Sequence, residues 1–218
     1  MNRKMFTLLS PIAAIAAFMV APAVAQATTA QAPAGTALPV GSIVKGQSTN
    51  TVAKSVNQSG GEEIEGPTGS CSHVEFEGEV TSNGGATVEG NVTGDSLTGC
   101  VIGSTAIDVV TNASPAAPWK LKVQQPEENG QITAHLEPAP SSVLQFTVQA
   151  QAFGFSVATC DYSSSGIQGM GREGSSEVIE EGTSFRKQSG GSICGEDLHF
   201  SGTGTLTSNG NELTLDLT

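Results

Sequence analysis

The cysteines are the residues of this 218-residue chain whose number and spacing most directly suggest chemistry: Cys71, Cys100, Cys160 and Cys194. An even number of cysteines in an exported protein indicates disulfide bonds, and four cysteines allow three pairings. We expect Cys71 to bond Cys100 and Cys160 to bond Cys194, because each of these bonds closes a local loop. On the chain-entropy account, each bond contributes roughly 3–4 kcal/mol to stability.

A zinc site is the alternative use of these cysteines. Zinc sites commonly carry cysteines in C-x2-C spacing, which this chain lacks. The histidines also stand far apart in the sequence, at His73, His135 and His199. Each histidine falls on a predicted strand, where we expect it on the surface or rim. These residues therefore predict no metal and no cofactor.

Glutamates alternate along one predicted strand at Glu75, Glu77 and Glu79. Carboxylates are ligands for Ca²⁺, which takes about six to eight oxygens. Alternate residues of a strand lie about 7 Å apart, so such a row does not converge on one ion. We expect the row to form an exposed acidic face that solubilises the sheet or binds a partner. The pair Glu180-Glu181 is expected at a loop or strand end.

The segment Gly94-Asp95-Ser96-Leu97 resembles the signature of the GDSL esterases. Ester hydrolysis would use Ser96 as the nucleophile, with a base such as histidine and an oxyanion hole. In that family the serine follows the first strand of an α/β fold, and Asp-x-x-His lies near the C-terminus. This chain has Asp197-Leu198-His199 instead, and no alternating helices. We therefore expect Asp95 and Ser96 to form a turn and predict no catalytic residue.

Trp119 is the only tryptophan, and it follows Pro118. Two interpretations stay open: a side chain that fills the core where a strand begins, or an aromatic group on a binding surface. In the second interpretation, Trp119 joins the acidic row as a candidate surface residue.

Residues 1–25 have the organisation of a secretory signal peptide. Arg3 and Lys4 form a basic start, Met5 to Val20 is apolar, and Ala23-Val24-Ala25 matches an A-x-A cleavage site. The apolar run is short for a membrane span. We expect cleavage and export to the medium, the cell surface or the periplasm, with no membrane span in the mature chain.

The charge balance excludes several classes of partner. The chain has 9 basic and 21 acidic residues, a net charge of −12 at pH 7. Such an excess of negative charge repels nucleic acids and anionic lipids and favours solubility. Only 14% of residues are charged and 27 are glycine, which is not the composition of a coiled coil or helical repeat. The composition names no partner.

Three Asn-Gly pairs punctuate the chain, at Asn83-Gly84, Asn129-Gly130 and Asn209-Gly210. Asn-Gly favours type I′ turns, whose twist matches that of paired antiparallel strands. Apolar and polar residues alternate on either side, as in Val74 and Phe76 against the glutamates between them. The three pairs therefore predict three β-hairpins.

About ten to twelve short strands follow from this alternation, and no capped helical run lies outside the signal peptide. So many strands around one core predict an all-β antiparallel β-sandwich, with a closed β-barrel as the alternative. Residues 26–39 are rich in Ala, Thr, Gln and Pro and predict a flexible lead-in. A single domain is expected over 40–218, with structure beginning near Val40.

Several segments resemble small secreted all-β proteins of actinobacteria whose function is unassigned; they are residues 71–78, 83–88, 97–100, 118–121 and 132–134. The chain is also similar, more loosely, to the exported PraB family, named as an activator of alkane oxidation and linked to biofilm and surface behaviour. The resemblance begins near Val44 and implies a bacterial exported protein. It implies no catalytic residue. The acidic row departs from it, because relatives tend to carry Thr and Ser there.

These observations predict an exported, non-enzymatic protein with a role at the cell surface, in the extracellular matrix or in binding; they define no molecular function. One alternative is a carrier that holds a small apolar ligand in a barrel or between sheets, which the PraB resemblance favours. The other is a secreted hydrolase with an unrecognised site. A carrier requires a continuous cavity, whereas a solid core would exclude it.

Overall fold

The computed structural model describes residues 28–49, 51–124, 130–152 and 155–217. The predicted signal peptide, residues 1–25, lies outside them. The described residues form strands, turns and bends. None of them belongs to a helix long and apolar enough to cross a membrane.

Fifteen strands make up the described part of the chain, more than the ten to twelve predicted. They are β1 Thr28–Gln31, β2 Ile43–Ser48, β3 Thr51–Ser59, β4 Glu62–Ser82, β5 Thr87–Ile102, β6 Thr105–Thr111, β7 Trp119–Gln124, β8 Gln131–Glu137, β9 Leu144–Ala152, β10 Phe155–Ser164, β11 Ile167–Arg172, β12 Glu177–Ser189, β13 Asp197–Ser208, β14 Asn211–Glu212 and β15 Thr214–Leu217. All named pairings are antiparallel. The predicted all-β antiparallel class is confirmed.

One 13-stranded sheet contains most of the strands, in the order β10-β9-β6-β5-β7-β8-β11-β12-β13-β2-β4-β3 with β14 beside β13. Three further pairings, β10–β12, β5–β4 and β13–β3, join strands that lie apart in this order. The sheet therefore folds back on itself, and its faces enclose a sandwich-like interior. Strands β1 and β15 form a separate two-stranded sheet.

The long strands β4 and β5 pair along most of their length, from Gly69 opposite Ile102 to Ser82 opposite Glu89. Their register shifts between Glu77 and Gly78. A Cβ at Gly78 would lie 2.6 Å from a backbone oxygen of β5, so glycine is required for this close approach.

Two of the predicted Asn-Gly hairpins are seen at their turns. Asn209 and Gly210 have φ angles of 51° and 77° and join β13 to β14, as a type I′ turn requires. Only the two residues of β14 pair with β13 before the chain leaves to form β15. At Asn83-Gly84 the hairpin β4–β5 forms around a longer loop. Asn129 lies outside the described residues, although β7 and β8 pair as predicted.

Structure begins earlier than the sequence predicted. Residues 28–31 form β1, which pairs with β15, and Ala30 and Leu38 are buried. The sequence did not predict this strand, because residues 26–39 show no alternation of apolar and polar side chains. The segment is held by the Asn83 side chain, which hydrogen-bonds to both backbone groups of Ala30 and to the carbonyl of Leu38.

Two clusters of buried apolar side chains fill the interior. The large core comprises Val92, Trp119, Leu144, Phe146, Val148, Tyr162, Phe185, Cys194, Leu198 and Phe200. The small core comprises Ala30, Leu38, Val80, Val88, Val123, Ile132, Leu213 and Leu215. Strands β5 and β7 contribute side chains to both cores. The large core and the small core therefore lie next to each other along these two strands.

Both predicted disulfides are present. Cys71 and Cys100 lie directly opposite each other on β4 and β5. Cys160 on β10 bonds Cys194 in the loop before β13, and Cys194 belongs to the large core.

Candidate functional site

The acidic row lies on β4, and strand β2 partly neutralises it. Lys45 Nζ is 2.9 Å from Glu75 Oε1 and 3.4 Å from Glu77 Oε2. Hydrogen bonds from Lys45 and Gln47 hold the pKa of Glu75 below its ordinary value. Glu77 and Glu79 remain exposed. The expected acidic face is therefore a row of mixed charge.

Trp119 is 1% exposed, so its interpretation as a binding-surface aromatic is wrong. Its ring lies between Phe76 and Phe146, with centroid separations of 6.0 and 5.8 Å. The indole Nε1 donates a 3.0 Å hydrogen bond to Asn112 Oδ1. Burial of a large ring with its one donor satisfied makes Trp119 a core residue.

The segment 94–97 lies inside strand β5, and the turn predicted there is wrong. Asp95 and Ser96 pair with Phe76 and Glu75 of β4. Asp95 Oδ1 accepts a 2.6 Å hydrogen bond from the Thr111 hydroxyl. The pairing of β5 with β4 outweighs the local preference of Asp and Ser for turns.

The feature on which the carrier alternative depends is a central cavity of about 190 Å³ between the faces of the folded sheet. It is bordered by β2, β3, β4, β5, β9, β11, β12 and β13. Its apolar wall consists of Val74, Phe76, Leu97, Phe146, Ile167, Val178, Phe185, Phe200 and Leu206.

Two apolar cavities adjoin the central cavity and share part of its wall. The end cavity, about 190 Å³, lies against the small core and shares Gly46, Phe76 and Leu206. The disulfide cavity, about 80 Å³, lies beside Cys160–Cys194 and shares Leu97 and Phe200. The three adjoin one another in a row, and each is partly open to solvent. They are therefore pockets that indent the apolar interior.

Two glycines of β13 that border the central cavity, Gly202 and Gly204, allow neighbouring strands to approach closely. A Cβ at Gly204 would lie 2.9 Å from the backbone oxygen of Gln47, and one at Gly202 would lie 3.3 Å from the Thr51 hydroxyl. Glycine is therefore favoured at these positions by strand packing.

Glu180 on β12 brings a carboxyl group to the central cavity. Its partners on the neighbouring strands are Gly169 of β11 and Gly202 of β13. Because neither partner has a side chain, no neighbour directly across the sheet competes with Glu180 for space. The expected position at a loop or strand end is wrong, since Glu180 lies within β12, next to a register shift between Glu181 and Thr183.

The Glu180 carboxyl is buried and only partly satisfied. Its Oε1 is buried and has no hydrogen-bond partner in the structure. Burial raises the pKa of Glu180, and a hydrogen bond from Thr183 offsets part of this rise. Among the cavity-lining residues, Glu180 alone has an ionisable side chain. The cavity thus combines a largely apolar wall with one ionisable group and the neutral polar side chains of Gln47, Ser48, Thr51, Thr203 and Thr205.

A metal centre is not seen in the part of the chain that the structure describes. No group of three or more His, Cys, Asp or Glu side chains there is arranged to hold a metal ion. Family models, characterised proteins and solved structures provide no match to this chain. The function is therefore argued from the cavity.

Proposed function

We propose that this protein is an exported, non-enzymatic binding protein that holds a small apolar molecule in its interior. The observation that carries the proposal is the row of apolar cavities centred on the central cavity. This is the carrier alternative from the sequence. A role based on an acidic surface has less support, because Lys45 forms ion pairs with Glu75 and Glu77 of the acidic row.

Cavity size sets the class of ligand. An apolar cavity of about 150 Å³ stays dry and binds benzene in a known case. The central and end cavities are each about 190 Å³. Pockets for drug-sized ligands are larger, roughly 300–1,000 Å³. The ligand is therefore a molecule of about one aromatic ring, or a slender chain that extends through adjoining cavities.

The proposed compartment is extracellular. Two disulfides are compatible with an extracellular or otherwise oxidising compartment. A carrier outside the cell would meet apolar molecules at low concentration in water, where burial of their apolar surface favours binding.

Toluene binding tests the proposal. We expect toluene to bind the wild-type protein and to raise its midpoint of thermal unfolding, because a ligand that binds only the folded state stabilises it. Replacing Leu97, which borders both the central and disulfide cavities, by Phe should fill part of that space. We expect Leu97→Phe to weaken toluene binding at least about tenfold in a titration followed by NMR.

The matched control is Val110→Phe, because Val110 is 54% exposed on β6 and borders none of the three cavities. This variant should bind toluene as the wild type does. Absence of toluene binding to the folded wild type, or equal binding by both variants, would overturn the proposal. If toluene binds as expected, mass spectrometry of the protein purified from its native medium would identify the natural ligand.

A further inference from the structure

We propose that Asn209 is a site of spontaneous deamidation in the folded protein and that β1 protects Asn83 from the same reaction. This inference is independent of the proposed binding function. It is carried by two Asn-Gly pairs that stand in the same local sequence, Thr-Ser-Asn-Gly, at residues 81–84 and 207–210. Because these four residues are identical, a large difference in reactivity between the two asparagines reflects the fold.

Deamidation joins the side chain of an asparagine to the backbone that follows it. The backbone nitrogen of the next residue attacks the side-chain carbonyl carbon and gives its proton to water or hydroxide, and the side-chain nitrogen leaves as ammonia. Water then opens the five-membered succinimide to aspartate or isoaspartate. Glycine favours the attack because it has no Cβ and its backbone adopts many conformations. The reaction therefore needs a free side-chain amide and a free backbone N–H.

Both reacting groups are free at the β13–β14 turn. Asn209 and Gly210 are exposed. Among the described residues, neither the Asn209 side chain nor the Gly210 amide has a hydrogen-bond partner. Only two residue pairs join β13 to β14 next to this turn. The turn can therefore open locally and bring the Gly210 nitrogen to the side chain of Asn209.

Both reacting groups are occupied at the β4–β5 loop. The Asn83 side chain makes three hydrogen bonds to the backbone of Ala30 and Leu38. The Gly84 amide, which is the attacking group, donates a 3.2 Å hydrogen bond to the carbonyl of Thr28. All of these partners belong to β1 and the short segment that follows it. Attack at Asn83 requires this segment to detach first, so the rate falls with the fraction of time for which it is detached.

Conversion of Asn83 would make this detachment permanent. An ionised aspartate accepts hydrogen bonds but donates none, so it cannot restore the bonds to the carbonyls of Ala30 and Leu38. Ala30 borders the end cavity, whose wall would then be incomplete. Protection of Asn83 therefore preserves this end of the interior.

Peptide mapping by mass spectrometry measures both reactions in one sample. The oxidised wild-type protein is incubated at pH 8, and the peptides that contain Asn83 or Asn209 are followed over time for conversion to aspartate and isoaspartate. We expect Asn209 to react at least about tenfold faster than Asn83. In urea that unfolds the chain, the two rates should converge, because the local sequence is shared.

Leu38→Ala tests the protective role of β1, because Leu38 is buried in the small core and anchors the segment that holds Asn83. This variant should raise the rate at Asn83 at least about fivefold and leave the rate at Asn209 unchanged. The matched control is Val110→Ala, an exposed position on β6, which should change neither rate.

Reaction at Asn83 as fast as at Asn209 in the folded wild type would overturn the proposal. An unreacted Asn209 after a time that converts it in the unfolded chain would do the same, as would a difference between the two rates that persists in urea. A rise in both rates in Leu38→Ala, or in neither, would overturn the role of β1. The rates in the wild type need no variant, so they decide the matter if Leu38→Ala does not fold.

Discussion

At the scale of single residues, the carboxyl groups of this protein fall into two kinds. Glu75, Glu137 and Asp161 have hydrogen-bond partners, and these lower the pKa of each below its ordinary value. Glu180 is partly exposed, but one of its carboxyl oxygens is buried and unpartnered, and burial raises its pKa. The first kind strengthens folding at neutral pH, whereas Glu180 opposes folding once it ionises.

The pH dependence of stability should reveal this difference. The unfolded chain loses the Glu180 proton near pH 4.3, about the ordinary glutamate pKa, whereas the folded protein holds it to higher pH. Stability therefore falls as pH rises from the unfolded to the folded pKa. We expect the free energy of unfolding of Glu180→Gln to rise relative to that of the wild type as pH increases across this window. Above the window, the difference between the two free energies should stay constant.

Urea unfolding between pH 4 and pH 8 measures the two free energies. Glu177→Gln is the control, because Glu177 is an exposed glutamate on the same strand. A difference between Glu180→Gln and the wild type that does not change with pH would contradict the prediction.

At the scale of elements, one side chain of the β4–β5 loop adds to the pairing with β15 that attaches β1. Asn83 accepts a 2.8 Å hydrogen bond from the Ala30 amide and donates to the carbonyls of Ala30 and Leu38 at 3.0 and 2.8 Å. These bonds hold residues 28–38 over the small core, next to the end cavity. Asn83 therefore does more than favour a turn.

Asn83→Ala should reduce the free energy of unfolding by about 2–3 kcal/mol, since each net hydrogen bond contributes about 1 kcal/mol. Urea unfolding measures the loss, and hydrogen exchange at the β1 amides should quicken. The control is Asn91→Ala, because the Asn91 side chain accepts one hydrogen bond from Lys120 and should cost about 1 kcal/mol or less. Equal losses for the two variants would contradict this account of β1.

At the scale of the whole molecule, two disulfides cross-link a fold whose interior is indented by apolar cavities. A protein with apolar cavities forgoes contacts that a solid core would make. The disulfides close loops of 29 and 34 residues, which limits the freedom of the unfolded chain. They therefore offset part of the stability that the cavities cost.

Removing either disulfide should destabilise the protein by roughly 3–4 kcal/mol on the chain-entropy account. The double variants Cys71→Ser/Cys100→Ser and Cys160→Ser/Cys194→Ser are compared with the oxidised wild type by urea unfolding. A loss below about 1 kcal/mol for both variants would show that loop closure contributes little here.

Much of the local structure was predictable from the sequence. Alternation at Val74 and Phe76 predicted the inner face of β4, and Asn209-Gly210 predicted its hairpin. The pairing of Cys71 with Cys100 followed from their proximity in the chain. These features depend on residues that are near one another in sequence, so local patterns are enough to predict them.

The sequence by itself determined the all-β class, the hairpins and the disulfide pairs of this protein. Only the tertiary structure decided that Trp119 is buried, that residues 28–31 form a strand and that Glu180 faces a cavity. The position of Glu180 follows from its pairing with Gly169 and Gly202, which depends on register between strands of different hairpins. A shift of one residue turns a side chain to the other face of the sheet, and local sequence patterns do not specify such register between distant strands.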